Sequence, residues 1–141
     1  MKQTVTAYLC CDGAVDAIAF YTRAFGAKER YRIPMGGGRI GHAELEIGGS
    51  VIYLSDEWAE GGVFSPKTLK GYTASFVLDV DDIEAAWQKA IDAGATVERP
   101  LKDEPYGRGG WVFDPFGHRW NIQQPAADFD PASIGAESVR S

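Results

Sequence analysis

Apolar positions along this chain switch between two spacings, and the switches mark its elements. Residues 4–10 alternate loosely at period two, the pattern of a strand with one buried face. From Ala14 the spacing lengthens. Ala14, Ala17, Ile18, Tyr21 and Phe25 recur three and four apart, which predicts an amphipathic helix that Gly26 ends. Residues 28–33 predict a second strand, 34–38 a glycine-rich turn, 39–47 a third strand, and 51–54 a fourth beyond Gly48 and Gly49.

The order then repeats. Residues 73–80 read as a strand, and Asp81 or Asp82 caps a helix whose apolar positions are Ile83, Ala86, Trp87, Ala90 and Ile91, with Gly94 as its stop. Residues 95–99 predict another strand and 100–107 a loop. Two aromatic-rich runs follow, joined by Asp114-Pro115-Phe116-Gly117, where a fixed and a permissive φ suit a tight reversal. Gly26 to Tyr53 and Gly94 to Asn121 are the same distance, 27 positions. Each half therefore reads β-α-β-β-β. Neither half closes its own sheet, so the halves, or halves from two chains, must combine. Module one covers about residues 4–55, a linker or lid 56–70, module two about 71–124, and a tail 125–141 that wraps the surface or frays.

With 141 residues the chain fits one α+β domain, and 45% hydrophobic against 24% charged residues is the balance of a globular protein rather than a disordered one. The net charge of −6 opposes phosphate backbones, which argues against nucleic acid as a partner and would favour a cationic ligand. No run approaches ~20 apolar residues, so no membrane span is expected, and the first residues lack a signal-peptide pattern. Adjacent Cys10 and Cys11 point to opposite faces of a strand, which suits packing in a reducing cytoplasm better than a disulfide.

Three stretches carry a family likeness: AIAFYTRAFGAKE, GHAELEIGGSVIYLSDE and YGRGGWVFDPFGHRWNI. In these residues the chain resembles the vicinal oxygen chelate superfamily of glyoxalase I, bleomycin-resistance proteins, fosfomycin-resistance transferases and extradiol dioxygenases. The resemblance spans about residues 4–124. It implies two βαβββ modules forming a concave, partly closed mixed sheet, a homodimer, and a small-molecule pocket in the concavity. Metal-dependent members place His or Gln on each module's first strand and Glu on a last strand. Aligned by the helix and glycine landmarks, those places hold Thr6, Ser75, Tyr53 and Asn121. None is a good divalent-metal ligand, so no metal cofactor is expected.

Strand alternation nominates the remaining chemistry. If Ala43, Leu45 and Ile47 face the helix, His42 and Glu44 share the other face, roughly 7 Å apart along the strand. Either could act as a general base on a bound carbonyl compound, or with a displaced metal. The alternative is a polar strand face beside solvent. Thr6, Tyr8, Val51, Tyr53, Thr73, Ser75, Val77, Asn121 and Gln123 should line the concavity, with Trp111 and Phe113 joining them. Tyr106 and Arg108 could gate it or clamp an anion, unless Arg108 is a solvated loop charge. His118, just past a turn, is expected at the surface.

These residues support a small-molecule-binding protein, with ligand contacts from Thr6, Tyr8, Tyr53, Ser75, Tyr106, Arg108, Trp111 and Asn121. The alternative is a lyase, isomerase or dioxygenase-like enzyme using His42 and Glu44. An interaction module whose concavity is filled is a third possibility.

Overall fold

The computed structural model describes residues 1–133. The first module runs β1 (Tyr8–Cys10), α1 (Ala14–Phe25), β2 (Lys28–Gly36), β3 (Arg39–Ile47) and β4 (Ser50–Ser55). After a linker carrying the single turn α2 (Pro66–Leu69), the second runs β5 (Ser75–Asp79), α3 (Ile83–Ala93), β6 (Thr96–Glu104), β7 (Gly107–Phe113) and β8 (Arg119–Pro125). Each module folds into a four-stranded mixed sheet, ordered β1-β4-β3-β2 and β5-β8-β7-β6. The first strand of each lies parallel to its last, and the other pairs are antiparallel. The fold is α+β, the two modules repeat one topology, and neither sheet closes into a barrel.

Packing between the modules explains the aromatic stretch near residue 115. Helices α1 and α3 lie against each other. The β7–β8 turn drops Phe116 onto Phe20, with ring centroids 6.2 Å apart, while Trp120 lies 4.7 Å from Phe25 and 5.7 Å from Tyr21. Asp114 sits at the centre of this cluster and is almost fully buried. Its carboxylate accepts hydrogen bonds from the Tyr21 hydroxyl (2.5 Å), Trp120 Nε1 (2.9 Å) and the backbone N–H groups of Phe116 (2.9 Å) and His118 (3.0 Å). Four donors offset the desolvation of one buried charge. Gly117 completes the turn at φ +90, where any Cβ would also press on Pro66 at 2.9 Å.

Several boundaries differ from the sequence reading. The first strand is three residues long, its pairing with β4 starting where the Ala7 carbonyl accepts from the Tyr53 N–H at 2.9 Å. Pro34 does not end β2; the strand passes through a register shift there and runs to Gly36. Residues 100–104, expected in a loop, extend β6 past another shift between Arg99 and Lys102. His118 is half-buried rather than at the surface. Its Nε2–H donates to the Cys10 carbonyl at 2.8 Å and ties the second hairpin to the first strand. Of the tail, Phe129 packs on Tyr106 at 6.0 Å; Ile134 onward lies outside the described residues. Among those described, no helix is long and apolar enough to cross a membrane.

Candidate functional site

The helices cover one side of each sheet and leave the other open. Alternation along β3 buries Ala43 and Leu45 completely against the helix side and turns His42 and Glu44 to the open side, as the period-two pattern implies. Strand register then places Tyr8 beside Tyr53, Tyr53 beside Glu44, and Glu44 beside Tyr31, in one row across four strands. His42 stands one pleat along from Glu44 on the same face.

Hydrogen bonds join this row into a chain. Tyr8 Oη lies 2.6 Å from His42 Nδ1, and His42 Nε2 lies 3.0 Å from Glu44 Oε2. The Tyr31 hydroxyl donates to the same Glu44 oxygen at 2.6 Å, and Arg30 approaches the other at 3.6 Å. Tyr53 forms the wall, its ring centroid 5.0 Å from His42 and 5.6 Å from Tyr8. Hydrogen bonding from His42, and then from Tyr31, holds the Glu44 carboxyl below the usual carboxylate range. The bond to Glu44 pushes the Tyr31 phenol up. Burial, with the Glu44 charge behind it, pushes the Tyr8 phenol up as well.

Tyr8 also divides two apolar hollows. One, of about 510 Å³, runs between β1 and β5 under the linker, lined by Phe64, Pro66, Leu69, Tyr72 and Phe76. The other, of about 520 Å³, is lined by Met35, Gly41, Trp58 and Val63. Cys10 borders both, and burial pushes its thiol up to about 11, so it stays protonated at neutral pH. Cys11 is fully buried on the opposite side.

The second module's open face is built differently. Its matching row reads Val77, Asn121, Trp111 and Arg99. The Arg119 guanidinium stacks 3.7 Å above Trp111, pairs with Glu98 at 2.7 Å, and reaches Ser75 Oγ at 3.2 Å. Asn121 is buried and donates one amide N–H to the Gly110 carbonyl at 3.0 Å, while its side chain borders a small hollow beside Trp111.

Some expected ligand residues therefore converge and others do not. Tyr8 and Tyr53 meet at the His42–Glu44 pair, while Ser75, Trp111 and Asn121 share the other module's face. Thr6 precedes the first strand and is only partly covered. Tyr106 borders a hollow of about 60 Å³ beside Trp111. Arg108 turns to the helix side, bonded to Glu84 of α3 at 2.7 Å and to Asp103 at 3.2 Å, which takes it out of the pocket. Tyr31 and Trp58 were not nominated. Pairing of β2 with β3 across the Gly37–Gly38 turn would have pointed to Tyr31, had the register shifts been visible.

A duplicated βαβββ chain with one open, aromatic-lined face on each sheet defines a class of small α+β domains. Within it, the chain belongs to the Glyoxalase/Bleomycin resistance protein/Dioxygenase superfamily, whose model matches residues 4–122. The Mycobacterium bovis protein Mb0911c is 37% identical over 140 residues, covering 96% of this chain and 92% of the relative. The crystal structure of the Arabidopsis thaliana At5g48480 gene product superposes with a TM-score of 0.69 at 28% identity, covering 88% of this chain and 100% of that one. TioX from Micromonospora sp. ML1 superposes with a TM-score of 0.65 at 26% identity, covering 91% and 100%.

A divalent metal, which such folds can hold, meets a poor set of donors here. The strand positions nominated by alignment offer phenol, hydroxyl and amide, and both nitrogens of His42 are engaged. Among the described residues, no three His, Cys, Asp or Glu side chains converge in a way that could hold an ion. These residues do not fit the group.

Proposed function

We propose that this chain binds a small hydrophobic or cationic organic molecule at the open face of its first module, without a divalent metal. The observation that carries the reading is Tyr8, a single exposed aromatic wall shared by two apolar hollows of about 510 and 520 Å³. Hollows of that size, mostly apolar with a few oriented polar groups, are what organic ligands occupy. Glu44 acts on Tyr8, and Glu57, Asp56 and Asp12 outnumber Arg39 around Cys10, favouring a neutral or positive guest over an anion.

A second copy of the chain completes the enclosure in this reading. Tyr31, Ile33, Met35 and Val77 stand exposed on the open faces, apolar groups that a second copy would cover. Each face already pairs its own charges, Glu44 with Arg30 and Arg119 with Glu98, so the contact between copies rests on the apolar groups.

Quenching of Trp58 fluorescence tests the binding. Ethidium, as an aromatic cation, and 1-phenyl-1,3-butanedione, as a neutral conjugated compound, should each quench saturably. Trp58→Phe should remove the share of the quenching that comes from the hollow it lines, leaving Trp87, Trp111 and Trp120 as background. Tyr8→Ala should weaken binding about tenfold, the loss of roughly 1.4 kcal/mol of contact. Failure of both compounds to bind at millimolar concentration contradicts the proposal.

A further inference from the structure

Three groups in the row could accept or release a proton, and their hydrogen bonds separate them. Glu44 is 8% exposed; Oε2 already faces His42 and Tyr31, and Oε1 faces Arg30. His42 is engaged at both ring nitrogens. Tyr8 differs. Its side chain is exposed, it borders both hollows, and its oxygen keeps a lone pair beyond the bond to His42.

The direction of the chain follows from donor inventory. A neutral imidazole has one N–H and one lone pair, and an ionised carboxylate can only accept. Nε2–H therefore donates to Glu44, which leaves Nδ1 to accept the Tyr8 proton. Tyr31 holds the same Glu44 oxygen from β2, so the carboxylate cannot swing away. The titratable and charged groups facing His42 are Tyr8 from β1, Tyr31 from β2, Glu44 on its own strand and Tyr53 from β4, with Arg30 behind Glu44.

We propose that Tyr8, His42 and Glu44 form a proton relay whose working end is the Tyr8 oxygen, and that its substrate is a flat conjugated carbonyl compound bearing an acidic C–H. The proposal rests on the binding reading above. In the step, the C–H proton passes to Tyr8 Oη as the Tyr8 proton passes to His42 Nδ1. The electron pair left on carbon delocalises onto the carbonyl oxygen as an enolate, and the imidazolium faces Glu44. Return of the proton to oxygen or carbon completes a keto–enol interconversion. Over the full cycle only C–H and O–H bonds of the substrate change, because the proton held on His42 Nδ1 is handed back through Tyr8. No oxidant or reductant is required. An imidazole is a modest base, so it suits only carbon acids whose anion is delocalised. The apolar hollows on both sides of Tyr8 accept the flat arms of such a molecule. A Tyr8 phenol raised by burial remains protonated and able to shuttle. Tyr8 is the catalytic residue here; His42 and Glu44 act through it as positioning residues.

Deuterium uptake at C2 of 1-phenyl-1,3-butanedione in D₂O, followed by proton NMR, tests the relay beside the fluorescence titration of the same compound. The protein should accelerate uptake, and Tyr8→Phe should lose ~10²-fold while still binding. Glu44→Gln can offer Nε2 an amide N–H, which would invert the imidazole. Nitrogen-15 spectra should then show His42 changing from Nε2–H in the parent to Nδ1–H in the variant, with a matching fall in rate. Binding without acceleration overturns the relay and leaves the binding reading standing. Absence of binding overturns both. A parent protein whose neutral His42 carries its proton on Nδ1 overturns the relay whatever the diketone does.

Discussion

Asp114 shows how much one side chain contributes here. Read in sequence it is a turn residue, yet in the fold it joins α1, the β7–β8 turn and Trp120 through four accepted hydrogen bonds. Asp114→Ala leaves the Trp120 N–H buried without a partner and the Tyr21 hydroxyl with only the Cys11 thiol beside it, and it should cost about 3 kcal/mol in urea unfolding. The same contact sets an alkaline limit. Burial, with Asp114 next to it, raises the Tyr21 phenol well above its ordinary 10.0. A raised value means that the folded state holds this proton more tightly than the unfolded chain. Its contribution is therefore complete below about pH 10 and declines as pH climbs through and above that value. Tyr21→Phe should flatten that alkaline decline in a series of melting curves, at some cost to stability at pH 7. For Glu44 the shift is downward, so the sign reverses: its paired state stabilises above the usual carboxylate range and is lost as pH falls through the lowered value. Tyr31→Phe should move the Glu44 carboxyl titration, followed by carbon-13 NMR, back up toward 4.5.

Among strands and helices, the N-terminus of α1 is held by a residue far along the chain. Asp56 accepts from Gly13 N and Ala14 N at 3.0 Å each and from Ile40 N at 2.7 Å, satisfying donors that the helix itself cannot. Asp56→Ala should destabilise by about 2 kcal/mol and loosen α1 first in amide exchange. That contact was invisible in sequence, where Asp56 opens a linker. What could be read was whatever depends on period alone: both long helices and their stops, the 39–47 strand, and the pairing of His42 with Glu44 on one face. Residues set by register or by distant packing could not be read. Tyr31 reaches Glu44 only after a bulge between Glu29 and Tyr31, and a one-residue slip reverses a strand's faces. Arg108 falls on the helix side because β7 starts at Gly107, earlier than the aromatic run suggests. The Asn121 amide donates to the sheet at Gly110 and also borders the hollow beside Trp111, a division of roles that alternation alone does not show.

In the assembled chain, two modules of one topology carry unlike faces. The first presents a tyrosine–histidine–carboxylate row, and the second an arginine laid over a tryptophan. The scaffold repeats while the side chains of the open faces differ, and the shared superfamily fold does not dictate what those faces do. If opposed copies enclose the ligand, sedimentation should give twice 15.3 kDa, and Arg119→Glu should shift it toward the monomer; a parent protein sedimenting as a monomer at micromolar concentration would contradict the dimer. The most direct test of a metal-free pocket is the fluorescence titration of 1-phenyl-1,3-butanedione and ethidium before and after exhaustive chelation. Unchanged affinity in metal-depleted protein is the predicted result. Affinity that vanishes on chelation and returns with added manganese, nickel or zinc would contradict it.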